Sequence, residues 1–238
     1  TTPDTCIWKI RVHRNIPVAL VGANLAVSGA ILQAVMKNPL ADPGIVGVSS
    51  GAGLAGVIML IFMPEASLLL TPVAFIGAML SAAAVYALAW KNGIRPSRII
   101  LAGVAVSAFL GSGISALLVF YSDKVQGALL WMVGGLSARS WPQVESLFPY
   151  TILGLVFAIC GCKALTILSL GDETARGLGL PVEKVRFTMT AVAALLAAGA
   201  VSIAGLIGFV GLVVPHIVRL IVGTDYKDVG PGSAMRGA

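Results

Sequence analysis

Residues 187–222 of the chain read FTMTAVAALLAAGAVSIAGLIGFVGLVVPHIVRLIV, a stretch of 36 residues that contains no Asp, Glu or Lys. An α-helix rises 1.5 Å per residue and the hydrocarbon core of a bilayer is about 30 Å thick, so one membrane span needs about 20 apolar residues. The stretch is too long for one ordinary span. We expect two helical legs with a turn near Gly205–Gly208, the second leg being short or bent at Pro215.

The composition of the whole chain indicates the same class of protein. Of its 238 residues, 58% are hydrophobic and 11% are charged, and the mean hydropathy is +0.96. This composition excludes a soluble globular domain, a disordered chain and a nucleic-acid-binding protein that works through basic density. With five further apolar runs before residue 187, we expect an all-α, polytopic transmembrane helical bundle of about seven spans in a single domain, 1–238. The five runs are Val18–Val35, Ile45–Met63, Leu70–Trp90, Ile99–Phe120 and Leu147–Cys162.

The distribution of basic residues supports seven spans and orients them, because cytoplasmic loops carry more Lys and Arg than outer loops do. With seven spans, the side that holds the N-terminal segment carries five basic residues: Lys9, Arg11, Arg14, Lys124 and Arg139. The opposite side carries eleven: Lys37, Lys91, Arg95, Arg98, Lys163, Arg176, Lys184, Arg186, Arg219, Lys227 and Arg236. The eleven-residue side is therefore predicted to be cytoplasmic. Treating 187–222 as one span would instead divide the charges eight to eight.

The predicted spans lack the groups that power other membrane proteins. Apart from Arg219, which we count with the cytoplasmic side, the spans contain no Asp, Glu, Lys or Arg, and their one histidine is His216. Coupled transporters usually carry an ionisable group at this depth, which disfavours the alternative of a secondary transporter or channel. The chain also has no Walker A or HExxH motif, which disfavours an enzyme, and we expect neither a metal site nor a cofactor in it. Uphill transport would need energy from another subunit, and a membrane scaffold without transport is the other alternative.

Two arginines near the N-terminus, Arg11 and Arg14, lie on the predicted outer side, against the general charge bias. Arginine forms directional, bidentate pairs with carboxylates, so these residues could dock acidic side chains of an extracytoplasmic partner. Contact with lipid headgroups is the alternative.

The longest informative loop is Ser169–Arg186, with the sequence SLGDETARGLGLPVEKVR. Asp172 and Glu173 suit the N-terminus of a helix and Arg176 suits its C-terminus, because of the helix dipole. Pro181 suits the first position of a second helix. We therefore expect two short helices, joined by a Gly-Leu-Gly elbow, on the cytoplasmic face.

Three apolar residues in this loop, Leu178, Leu180 and Val182, would form a knob among charged side chains. An exposed apolar knob is typical of a contact with a protein partner. An ordinary connecting loop is the alternative.

Small residues recur at four-residue spacing in two of the predicted spans. One ladder is Gly22, Ala26, Ala30 and Ala34, and the other is Gly103, Ser107, Gly111 and Ser115. Such stripes let helix backbones approach closely in a membrane, and we expect packing surfaces here. A path lined by small side chains is the alternative. Between the fourth and fifth spans, Trp131 is expected on a short helix at the membrane interface.

These strings together resemble a known family, the FecCD-like permease subunits of ATP-driven (ABC) importers for ferric siderophores, haem and cobalamin. The resemblance lies in residues 11–53 (RVHRNIPVALVGANLAVSGAILQAVMKNPLADPGIVGVSSGAG), 97–107 (SRIILAGVAVS), 129–135 (LLWMVGG), 170–186 (LGDETARGLGLPVEKVR) and 205–220 (GLIGFVGLVVPHIVRL). The strings cover most of the chain in the family's order, and NPLADPG paired with GFVGLVVPHIVR is highly specific.

The resemblance implies an assembly in the bacterial cytoplasmic (inner) membrane. Such permeases have about ten spans and pair with a second permease copy or a homologue, and we expect that this chain lacks the first span and the last two. They bind two cytoplasmic ATPase subunits, which carry the ATP and Mg²⁺, and one extracytoplasmic substrate-binding protein. The expected function is import of iron–siderophore complexes by alternating access, with haem and cobalamin as the other substrates that the family takes.

The resemblance also implies roles for individual residues. Arg11 and Arg14 match the outer arginines that pair with glutamates of the binding protein. Arg95 and Pro96 lie where the family has its cytoplasmic gate, although this chain departs from the small hydroxyl residues of the family pattern there. The residues implied in coupling to the ATPase are Asp172, Glu173, Thr174, Arg176, Leu178, Leu180, Pro181, Glu183 and Lys184.

Overall fold

The computed structural model describes residues 12–91, 93–135, 141–222 and 226–237, and within these ranges the chain forms α-helices and 3-10 turns but no strand. The α-helices are α1 (Val12–Met36), α2 (Val48–Phe62), α3 (Leu70–Ala89), α4 (Pro96–Phe120), α5 (Val125–Val133), α6 (Trp141–Ser169), α7 (Asp172–Gly177), α8 (Val182–Ala204), α9 (Val210–Val222) and α10 (Tyr226–Gly237). The 3-10 turns are Pro43–Val46, Pro64–Leu69 and Ser122–Lys124.

Each of the seven predicted spans corresponds to one helix. Five helices, α1, α3, α4, α6 and α8, are long and apolar enough to cross a membrane, and α2 and α9 are shorter apolar helices. The chain is therefore a multi-pass, all-α membrane protein, as the sequence predicts.

The long stretch 187–222 is divided where its length requires. Helix α8 ends at Ala204 and α9 begins at Val210. Gly205 has a φ of +80°, which suits glycine, and a Cβ atom there would lie 2.3 Å from the carbonyl oxygen of Trp131. The predicted turn and the short second leg are both confirmed.

Helices α1 and α8 form the centre of the bundle. In each of them, 78% of the most apolar stretch of 18 residues is buried inside the protein, compared with 17% in α4. Helix α8 packs against α1, α3 and α6. Buried polar side chains also link the helices, since the Ser28 hydroxyl donates to the Ala193 carbonyl (2.7 Å) and the Asn24 amide donates to the Thr151 hydroxyl (2.8 Å). Such bonds satisfy polar groups that have no access to water.

Glycine allows the closest approaches between helices. A Cβ atom on Gly29 of α1 would lie 1.7 Å from the carbonyl oxygen of Gly211 of α9, and one on Gly51 of α2 would lie 2.3 Å from that of Gly77 of α3. In the first predicted ladder, the three alanines are buried, as expected of a packing surface.

The second ladder changes character along α4. A Cβ atom on Gly103 would lie 1.7 Å from the Ile45 carbonyl oxygen, whereas nothing lies within 4 Å of such an atom on Gly111. Only the first part of this ladder is therefore a contact between helices of this chain.

One local expectation was wrong. Pro181 does not begin a short helix, because it precedes the 23-residue helix α8 as its N-cap residue. Trp131 lies on a short helix, α5, as expected, where it is only 7% exposed and its ring occupies the space that a side chain on Gly56 would need. The indole is thus a packing residue between α5 and α2.

Replacing Gly29 should test the close packing of α1 and α9. We expect Gly29→Ala to destabilise the full-length protein by about 1–3 kcal/mol or more, because overpacking at a backbone contact forces the helices apart. A lowered thermal midpoint in detergent would show this. Gly111→Ala is the matched control in a spanning helix and should leave the midpoint unchanged or slightly raised. Equal effects of the two changes would contradict the packing assignment.

Candidate functional site

The short helix α7 stands at the predicted cytoplasmic end of the bundle, between α6 and α8. It begins after Gly171, which has a φ of +122°, and it carries Asp172 and Glu173 in its first turn and Arg176 in its last, as the sequence predicts. The chain then turns through Gly179, with a φ of +80°, towards α8.

Asp172 faces inward and pairs with two cations, one from 135 residues earlier in the chain and one from 14 residues later. Its Oδ1 atom lies 2.5 Å from Lys37 Nζ and 2.9 Å from Arg186 Nη2. Lys37 directly follows α1 and has a φ of +50°, an unfavourable conformation for a residue with a side chain. We call Lys37, Asp172 and Arg186 the ionic junction, because they join the end of α1, the start of α7 and the start of α8.

Arg186 brings a fourth element into the ionic junction. Its side chain is 1% exposed, and its Nη1 atom donates a 2.7 Å hydrogen bond to the carbonyl oxygen of Ile94, between α3 and α4. Its Nε atom is buried without a hydrogen-bond partner among the described residues. A buried cation costs several kcal/mol unless it is paired, so the position of Arg186 depends on these two acceptors.

The electrostatics of the junction favour a charged Asp172. Partial burial alone would raise the pKa of this carboxyl group, but hydrogen bonds from Arg186 and Lys37 and the charges of both residues outweigh burial and hold the pKa below its usual value. The carboxylate is therefore ionised at neutral pH.

The outer surface of α7 is open to solvent. Leu178 is 63% exposed, and the other predicted coupling residues outside the junction, apart from the partly buried Leu180, are also exposed: Glu173, Thr174, Arg176, Pro181, Glu183 and Lys184. Arg176 and Glu183 form an ion pair at 3.9 Å, which contributes little at such exposure. The predicted apolar knob is smaller than expected, because Val182 is 2% exposed and packs under the surface at the start of α8.

The two residues predicted at the gate lie next to the ionic junction. Arg95 is exposed and precedes α4, and Pro96 is the first residue of α4. Arg98, in the first turn of α4, donates to the carbonyl oxygens of Lys91 and Gly93. The structure thus brings the gate residues and the coupling residues to one end of the bundle.

A second polar cluster lies beside the junction. Arg219 of α9 donates to the side-chain oxygen of Gln33 (2.5 Å) and to the hydroxyl of Tyr226 (3.0 Å). These residues line a cavity of about 290 Å³ whose other lining residues are Ala34, Lys37, Asn38, Pro39 and Ser169. The cluster fixes the ends of α9 and α10 against α1.

The predicted docking arginines cannot be placed. Arg11 lies outside the described residues, and of Arg14 only the backbone, in α1, is described. Among the described residues, no group of three or more His, Cys, Asp or Glu side chains is positioned to hold a metal ion.

Lys37, Arg186 and Arg219 were not predicted as site residues. For Arg186 a signal was present, because it lies three, four and seven residues before the buried Met189, Thr190 and Ala193 of α8. A cation on the buried stripe of a helix requires a buried partner.

Comparison with known proteins gives a consistent result. The model described as the FecCD transport family matches residues 1–238. The chain is 42% identical to a cobalamin import system permease protein of Halobacterium salinarum, over 99% of this chain and 64% of that protein. It is 38% identical to a Fe(3+)-citrate import system permease protein of Bacillus subtilis, over 98% of this chain and 69% of that protein. The chain thus spans about two thirds of the length of these relatives.

A solved structure shares the fold. The inward-facing conformation of a metal-chelate type ABC transporter superposes with a TM-score of 0.88 at 27% identity, over 98% of this chain and 75% of the other.

Removing the carboxylate of the ionic junction should destabilise the protein. We expect Asp172→Ala to cost about 3 kcal/mol in unfolding free energy, at the lower end for a broken buried pair because Asp172 is partly exposed. Chemical or thermal unfolding of the full-length protein in detergent measures this. Glu173→Ala is the neighbouring control and should change the free energy by less than about 0.5 kcal/mol. A similar loss in both variants would contradict the junction.

The lowered pKa of Asp172 predicts a pH dependence of stability. A carboxyl group with a lowered folded-state pKa contributes stability that is complete above its unfolded pKa of 3.8 and is lost as the pH falls through the folded value. Thermal midpoints of the wild type and Asp172→Asn should therefore differ most at pH 5 to 7 and converge below pH 3.8. A constant difference across this range would show that Asp172 does not titrate as expected.

Proposed function

The chain belongs to the FecCD transport family, and from this membership we propose that the full-length protein is the permease subunit of an ATP-driven importer for iron–siderophore complexes. Its relatives include permease proteins of Fe(3+)-citrate and iron(3+)-hydroxamate import systems, which support an iron chelate as the substrate, and one of a cobalamin import system. The proposed location is the cytoplasmic membrane.

One observation carries the proposal: an exposed helix, α7, is fixed by the ionic junction, whose Arg186 is buried, at the end of the bundle predicted to face the cytoplasm. A helix of six residues is too short to be stable alone, so its position is set by its anchor. Leu178 stands among the exposed charges of Glu173, Arg176 and Lys184. A rigidly held surface of this kind suits a protein partner, and we propose that the partner is the ATPase subunit.

The remaining parts of the proposed mechanism follow from this contact. Two ATPase subunits, which bind ATP and Mg²⁺, would move α7 of each of two permease copies and open the spans alternately to either side. A loaded binding protein would dock through carboxylates on Arg11 and Arg14. The apolar spans would hold a bulky chelate weakly, which favours its release.

The coupling surface can be tested on the full-length protein, purified with its native partners in lipid nanodiscs. We expect an ATPase to co-purify, and the triple change of Glu173, Arg176 and Leu178 to Ala to release it, because all three side chains are exposed on α7 or directly after it. ATP-dependent uptake of a ferric siderophore into proteoliposomes should be lost with it.

The matched control is the triple change of Glu65, Leu68 and Lys124 to Ala. These residues supply one acid, one apolar side chain and one base, all exposed, in the turns after α2 and before α5, on the predicted outer side. The control should retain the ATPase. If no ATPase co-purifies with the unaltered protein under conditions that preserve other such complexes, the proposal of an ATP-driven importer fails.

A further inference from the structure

Arg186 connects two elements that an importer must move together. One terminal nitrogen of its guanidinium donates to Asp172, the first residue of α7, and the other donates to the Ile94 carbonyl, two residues before α4 begins. A guanidinium is planar and rigid, so it fixes the relative position of its two acceptors in a way that a flexible ammonium does not. Few side chains can therefore replace it.

The described residues between α3 and α4, 90–91 and 93–95, are held from both sides. Arg98 of α4 donates to the carbonyl oxygens of Lys91 and Gly93, and Arg186 of α8 donates to that of Ile94. Gly93 has a φ of +95°, and a Cβ atom there would lie 2.7 Å from the Glu183 carboxylate, so the segment passes directly against the first turn of α8. Displacement of α7 and the start of α8 must therefore carry this segment with it.

Helix α4 is the span most free to respond. Only 17% of its most apolar stretch of 18 residues is buried in this chain, compared with 39% in α3 and α6 and 78% in α1 and α8. Tilting α4 therefore disrupts less packing within the chain than tilting any other long helix would. Its cytoplasmic end is the end that Arg98 and Arg186 hold.

We infer that Arg186 is a positioning residue that transmits displacement of α7 to the cytoplasmic end of α4. This inference rests on the proposed function, because it gives the movement a source in the partner ATPase. Arg186 itself touches neither substrate nor nucleotide in this role. It acts through Asp172 on one side and through the Ile94 carbonyl on the other.

The test uses the full-length permease assembled with its ATPase in proteoliposomes, with Arg186→Gln and Arg186→Lys. Lysine keeps the charge but can reach only one of the two acceptors. We expect the amount of ferric siderophore imported per ATP hydrolysed by the assembled complex to fall at least tenfold with Gln and by a smaller factor with Lys. Lys163→Gln, an exposed basic residue on α6, should leave this ratio unchanged.

A second measurement reports the movement itself. A cysteine at the exposed position Ser97 of α4, in a protein whose native cysteines, Cys6, Cys160 and Cys162 among them, are replaced, is modified with an impermeant maleimide with and without ATP. ATP should change the modification rate several-fold with Arg186 and much less with Arg186→Lys. A role in stability alone would lower the yield of complex but would leave this response intact.

The outcomes separate the inference from the proposed function. If the wild type shows no ATP-dependent uptake, the proposed function fails. If the wild type transports and both Arg186 variants import as much per ATP, or keep the response at position 97, the inference alone is overturned. Where neither variant assembles, Asp172→Asn, which keeps an oxygen acceptor in place, decides by the same measurement: an unchanged response overturns the inference and a reduced one supports it.

Discussion

The candidate site depends on one constraint, that the charge of Arg186 is buried and must be paired. A guanidinium removed from water is stable only with acceptors in place, and here these are a carboxylate on α7 and a backbone carbonyl before α4. Because Arg186 itself belongs to α8, and Asp172 also binds Lys37 at the end of α1, the positions of four elements are set by three side chains. Their common position at one end of the bundle is thus a consequence of charge, while the apolar spans themselves supply no such specificity.

Within the spans, close contacts between helix backbones set the positions of the helices. Apolar side chains have no hydrophobic preference for the protein interior over lipid, so close van der Waals packing holds membrane helices together. Gly29 meets Gly211 and Gly51 meets Gly77 at distances that no side chain would allow. These contacts are concentrated around α1, α2, α3 and α9, and α4 has fewer of them along its length. The result is a closely packed part of the bundle next to one helix that is loosely held.

Much of this fold could be predicted from the sequence because the bilayer has a fixed thickness. The length of 187–222 alone required the turn that lies between Ala204 and Val210, and the acidic and basic ends of α7 indicated that helix. Where α8 begins could not be predicted in this way, because a hydropathy pattern stops at charged residues whereas the helix continues through Arg186 to Val182. The ionic junction could not be predicted for another reason: Lys37 and Asp172 are 135 residues apart, and no local sequence pattern indicates that they pair.

The six residues of α7 have two roles: Asp172 anchors the helix to the bundle, and Glu173 and Arg176 form an exposed surface. An isolated helix of this length does not persist in water, since the cost of nucleation exceeds what its few hydrogen bonds return. Asp172, at its first position, is turned inward and fixes the helix to α1 and α8, whereas Glu173 and Arg176 remain exposed for contact with a partner. The orientation of the exposed residues is therefore set by the ion pairs of Asp172. Asp172 joins α7 to Arg186 of α8, and Arg186 in turn donates to the Ile94 carbonyl just before α4, so these two residues form a continuous hydrogen-bonded path from α7 to the start of α4.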